Sequence, residues 1–207
     1  MTTTRLRQEI GMQPDPDFDL ELPPGWTRRE VDPAVLDTML AGVKRRFMAE
    51  HRPDLYVEVK VMLQNSFKDM DRNGVFAFFS PTEAGDGTLA IPASIHASIR
   101  RAGAGENLDD LARSLIRSHG ATPLLGDPGT LRFELEKSVR LGTETIMNHA
   151  IIYLTPIPGA KRRRALQLVA GFGRTMDTPS THPSLDAMRL LFDSCVSTLR
   201  WRQPAHS

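Results

Sequence analysis

The chain has a single cysteine, Cys195. A lone thiol cannot close an intramolecular disulfide, and a four-cysteine zinc site is excluded with it. Cys195 falls in an apolar pattern of helical spacing, where a cysteine behaves as a small buried hydrophobe rather than a nucleophile. An excess of either charge is missing too: 26 Lys and Arg face 25 Asp and Glu, for a net charge of +1. Proteins that hold phosphate backbones need a basic surplus to replace counterions, so nucleic acid is not an expected partner. Any basic contact surface has to be local. No run approaches the ~20 apolar residues of a spanning helix, so no membrane span is expected. The opening MTTTRLRQEIGMQPDPDFD contains neither a signal-like apolar segment nor a cysteine for a lipid. The expected setting is cytoplasmic.

Motifs of catalysis are equally scarce. There is no GxSxG elbow and no SxxK. Gly103–Asn107, GAGEN, lacks the Lys-Ser/Thr ending of a phosphate-binding loop. His51, His96, His119, His149, His182 and His206 are scattered, without HExxH or i, i+4 pairing. KDMDRNGVFAFF, from Lys68, imitates a calcium loop, with Asp69, Asp71 and Asn73 alternating before Gly74. The twelfth position counted from Asp69 is Ser80, where the bidentate Glu should stand. DRNG serves instead as a helix end and turn leading into a strand. No metal or other cofactor is expected.

What is present is periodicity. Residues 1–16 read as a polar tail, and 17–207 as one domain without internal repeats. FDLEL alternates as a strand does and is stopped by PPGW. Asp32-Pro33 starts a helix carrying Val35, Leu36, Met39, Leu40, Val43 and Phe47 at three- and four-residue spacing. After EHRP a second helix repeats the stripe with Leu55, Val59, Met62, Leu63, Phe67 and Met70. Beyond Gly74 the period shortens, and VFAFFS, GTLAIPASIHASIR, TPLLG, LRFELEKSV, TIMNHAIIYLTPI and ALQLVAGFGRT read as strands. GDPG, Gly126–Gly129, reads as a turn between two of them. Asn107 and Gly120 bracket one interposed helix, and another runs from about Ser184 to Leu199. Sequential strands on short turns with segregated helices make this an α+β fold with an antiparallel sheet.

Three stretches carry a family resemblance: FDLELPPGW, IIYLTPIPGAKRRRALQLVAGFGRT and the closing MRLLFDSCVSTLRW. Their order resembles the PsbP-like α/β/α sandwich proteins over Phe18–Trp201. The resemblance implies a central antiparallel sheet flanked by helices, and a role in binding other macromolecules rather than catalysis. The Asp32–Asp71 helical hairpin is an addition to that pattern.

Two surfaces remain candidates. KRRR, Lys161, Arg162, Arg163 and Arg164, places four cations in one connection, which must project some of them into solvent. Such a loop could engage an acidic protein surface, a nucleic-acid backbone or anionic lipid, or be a solvated turn guarding a sheet edge. The alternative is a small-molecule binder or hydrolase whose pocket, between sheet and hairpin, is lined by His96, Asn148 and His149. The hairpin stripes exceed what one sheet face can cover, which leaves room for a homodimer.

Overall fold

The computed structural model describes residues 15–82, 88–89, 91–141 and 144–202. Seven strands form one sheet: β2 (Trp26–Glu30), β3 (Val75–Pro81), β4 (Ala93–Arg101), β5 (Thr122–Leu124), β6 (Asp127–Leu141), β7 (Glu144–Pro156) and β8 (Arg164–Thr175). Their spatial order is β2-β3-β4-β8-β7-β6-β5, and every neighbouring pair is antiparallel. A two-stranded ribbon of β1 (Phe18–Asp19) and β9 (Arg200–Trp201) stands beside it. The helices are α1 (Pro33–Ala49), α2 (Pro53–Arg72), α3 (Leu108–His119) and α4 (Pro183–Ser197).

Alternation along the strands sorts the core into two faces. On one, Ile151, Tyr153, Leu166, Leu168 and Phe172 meet Leu185, Phe192, Cys195 and Val196 of α4. On the other, Phe133, Ile152, Leu154 and Ala165 meet Leu108, Leu111 and Leu115 of α3. Phe78, flanked by Ala77 and Phe79 of the α4 face, turns to the α3 face and packs with Phe67 and Met70 of α2. The expected α/β/α sandwich with an N-terminal hairpin is therefore the observed architecture. Of the expected 1–16 tail, residues 1–14 lie outside the described residues, while Asp15 makes a 2.6 Å ion pair with Arg164.

Local signals account for the helix ends. Asn107 accepts from the backbone N–H groups of Asp109 and Asp110, Asp110 accepts in return from Asn107 N–H, and Gly120 is left-handed at the far end. The calcium-like stretch is the helix end and turn expected of it. Asn73 caps α2, its side chain donating to Asp69 O at 2.7 Å, and Gly74, at φ 65°, turns into β3. Helix α1 ends in a pair of reverse bonds, Arg52 N–H to Phe47 O and His51 N–H to Met48 O. That geometry puts His51 at φ 56°, where glycine would be relaxed.

Two strand readings need correction. FDLEL is a strand only at Phe18–Asp19, and there it pairs with Arg200–Trp201 rather than with the large sheet. The edge strand comes after the stop, at Trp26–Glu30, paired with Pro81–Ala77. WTRRE shows no apolar alternation because the edge buries only Trp26, while Arg28 lays its guanidinium 4.9 Å from the Phe18 ring. GDPG is likewise not the turn. Leu125 and Gly126, both at positive φ, make a two-residue connection, and Asp127–Gly129 already belong to β6.

Candidate functional site

The basic connection is bolted down. Ala160 N–H bonds Ile157 O and Arg163 N–H bonds Ala160 O, so two tight turns follow one another. Lys161 and Arg162 take the second at φ 49° and 54°, an arrangement that costs about 1 kcal/mol or more per residue. The turn carbonyls are used as well: Arg162 O accepts from Leu108 N–H at the start of α3, and Arg163 O from Ala102 N–H. Among the side chains, Arg162 pairs with Asp109 and Arg164, the first residue of β8, with Asp15. Lys161 and Arg163 have no side-chain partner among the described residues. Half of the expected cationic patch is therefore spent holding α3 and the Asp15 segment to the sheet.

The three residues expected to share a pocket do not all do so. His149 is 1% exposed, on the α4 face, its ring stacked 5.1 Å from Phe172. Arg174 Nε donates to His149 Nε2 at 2.8 Å, which fixes the neutral tautomer with its proton on Nδ1. Nδ1 lies 3.0 Å from Glu136 Oε1 without making a well-aligned hydrogen bond. Burial is the main cause holding this imidazole below its ordinary pKa; Glu136 opposes it and Arg174 reinforces it. His149 is thus a structural histidine at one end of a charged clasp. Arg132 reaches Asp193 at 2.8 Å and Glu134 at 2.6 Å, Arg189 reaches Glu134 at 3.0 Å, and Tyr153 Oη donates to Asp193 at 2.6 Å. Burial pulls the Glu134 carboxyl up, yet its two arginines together keep it below the usual range. The clasp ties α4 to β6 and β7. Cys195 is buried in the core on the same helix, with its thiol pKa raised by burial, as an inert packing group should be.

His96 and Asn148 do line one trough, on the opposite face. Pairing sets a row Phe78–His96–Val169–Ile152–Phe133 across five strands. The hairpin covers its first member and α3 its last two, while His96 and Val169 in the middle are only partly buried, Val169 at the margin of the α3 cluster. Beside it run Ser94–Gly171–Ala150 and then Gly173–Asn148. His96, Val169, Ser94, Gly171, Ala150, Gly173 and Asn148 floor a trough of about 410 Å³, with Ile146 and Pro92 also lining it. His96 Nε2 lies 3.0 Å from Ser94 Oγ, and burial lowers its pKa, so the ring is neutral at pH 7. Sequence reasoning missed Gly171 and Gly173, although glycine inside a strand pattern was a visible signal.

The hairpin is the remaining feature. Helix α1 buries none of its 17 residues, and α2 buries only Phe67 and Met70, near its end. Val35, Leu36 and Met39 reach the small cluster on Phe78, but from Leu40 to Leu63 no described residue joins a core on the sheet. Val57 is 59% and Val61 50% exposed, a turn apart on α2, with Met48 and Met62 also open to solvent.

No family model matches this sequence, and no curated protein does. A solved structure from Bacteroides thetaiotaomicron VPI-5482 is similar over 91% of this chain and 46% of its own, at TM-score 0.41 and 8% identity. The chain thus spans about half the length of that protein, and a likeness at this level carries no argument.

Proposed function

We propose that this chain is a non-catalytic protein-interaction module that docks its partner through the tip of the α1–α2 hairpin. One observation carries the reading: a 17-residue helix with a full apolar stripe buries none of its residues. Two helices alone can cover only one flank of each other, so a stripe half open along its length is poised to complete a bundle. Between Leu40 and Leu63 stand five basic and three acidic residues, with Lys44, Arg45 and Arg46 in succession on α1. The matching partner is an amphipathic helix whose apolar seam is rimmed by acidic residues. A helix on another protein and a second copy of this chain differ in this respect, since the tip itself carries a basic surplus.

PsbP-like membership belongs to the same proposal. An antiparallel sheet with helices on both faces supports it, while a histidine buried as a structural group rather than presented for proton transfer supports the non-catalytic reading. The basic loop has a lesser part, through Lys161 and Arg163. A cytoplasmic setting fits a chain whose one cysteine is buried and unpaired.

The test replaces Val57 and Val61 together by Glu. Both are exposed, so the melting temperature should hold, while photocrosslinking from position 62 to a helix of the native partner should disappear. Crosslinks that persist undiminished, or that map to a strand or loop of the partner, would overturn the reading. A doubled mass in light scattering that the two substitutions abolish would make the partner a second copy instead.

A further inference from the structure

Neither Gly171 nor Gly173 is required by the fold. Both have ordinary negative or extended φ, and β8 keeps unbroken register, with β4 and β7 at Gly171 and with β7 alone at Gly173, which lies past the Ala93 end of β4. A Cβ built on Gly171 meets nothing closer than His149 O at 4.0 Å, and one on Gly173 nothing closer than Ile146 Cδ1 at 3.6 Å. Gly25 is the contrast: it sits at φ 75°, and its Cβ would strike the Thr88 side chain. Glycine weakens a strand interior, and where no bulge, positive φ or clash explains it, the common reason is close approach of something else. Here that something would lie over the sheet, because both glycines face the trough.

The floor has definite proportions. Two glycines at i and i+2 clear about 7 Å along β8, and the flanking strands set a width of about 10 Å. His96 stands at one end on β4, and Asn148 at the other on β7. None of the eleven lining residues is charged; Lys137, paired with Asn148 on β6, is outside the lining. We propose that the trough over Gly171 and Gly173 binds a neutral, flat aromatic ring system of one or two fused rings, held edgewise by His96 and Asn148. The ring lies against the bare backbone of β8, with Val169, Ala150 and Ile146 around it. This inference goes beyond the docking reading and stands apart from the hairpin, which does not line the trough.

The experiment titrates the full chain with indole, adenosine and caffeine at millimolar concentration, following backbone amides by NMR. At least one should give saturable shifts at Gly171, Gly173 and the Asn148 side chain. The Gly171→Ala, Gly173→Ala double variant should keep or raise the melting temperature and weaken that probe by roughly tenfold or more. Indole-3-acetate and AMP, the anionic counterparts, should bind more weakly than indole and adenosine. The proposal falls if none of the three neutral probes shifts these amides, if the double variant binds as well as the parent, or if the anions bind as tightly. A double variant that fails to fold would also overturn it, because the glycines would then serve the fold. The Val57 and Val61 substitutions should leave every one of these results unchanged, so either reading can fail alone.

Discussion

Asp193→Ala should be the most damaging single change in the clasp between α4 and the sheet. Asp193 is 13% and Arg132 18% exposed, so this pair is screened far less than the surface pairs. Removing one member of a buried pair costs about 3–5 kcal/mol, and Arg132 keeps Glu134 at 2.6 Å, which argues for the lower end. Tyr153 is fully buried and loses the acceptor of its 2.6 Å bond, a loss of about 1.5–3 kcal/mol when the acceptor is charged. The two losses share one carboxylate and will not add in full, so about 3–4 kcal/mol is expected. For a domain of this size that corresponds to roughly 10 °C in melting temperature. Tyr153→Phe, which leaves the ion pair in place, should cost about 1.5–2 kcal/mol, the lower part of the range for a bond to a charged acceptor. Added to Tyr153→Phe, the Asp193→Ala change should then cost about 2 kcal/mol, since no hydroxyl is left stranded. Urea unfolding of the four proteins, with slopes checked for equality, measures the cycle. An Asp193→Ala loss below about 1 kcal/mol, or strict additivity with Tyr153→Phe, would show that the clasp is not coupled as its geometry requires. Molar sodium chloride gives a second check, because only an exposed pair would be erased by it.

Three further outcomes follow from the structure. His51→Gly relieves a left-handed position at the end of α1 and should stabilise by about 1 kcal/mol in urea unfolding; a loss would mean the imidazole makes a compensating contact. His149 and His96 are both held below the ordinary imidazole pKa, chiefly by burial, so protons bind the unfolded chain more readily than the folded one near pH 6. Stability should therefore be full above about pH 7 and fall as the pH drops toward about 5.5, a fall that His149→Gln should reduce in thermal melts. Lys161→Ala and Arg163→Ala, lacking described partners, should leave the melting temperature within a degree or two, whereas Arg164→Ala should lower it by releasing Asp15.

Helices were legible because their signals are local. Asn107 with Asp110, Gly120, and the stripes from Val35 to Phe47 and Leu185 to Val196 each lie within one element. The β2 edge was not, since a strand that buries one tryptophan has no alternation to read. Site geometry was less legible still. Strand alternation by itself separates Asn148 from His149, neighbours that cannot share a face, so their grouping was refutable from sequence. Bringing His96 to Gly171 and Asn148 needs the order and register of β4, β8 and β7, and those are set by the whole sheet. The clasp was invisible for the same reason: Arg132 and Asp193 are 61 residues apart, and no local pattern links a strand charge to a helix charge at that separation.

The β1–β9 ribbon joins residues 18–19 to 200–201, and Arg202 N–H reaches back to Asp17 O at 2.7 Å. Zipping it closes the longest loop among the described residues, so it should form last on refolding and open first under load. With residues 17–19 and 200–202 held side by side, the fold should accept new ends elsewhere. Relocating them to the Leu125–Gly126 turn while fusing the ribbon would leave the sheet order intact.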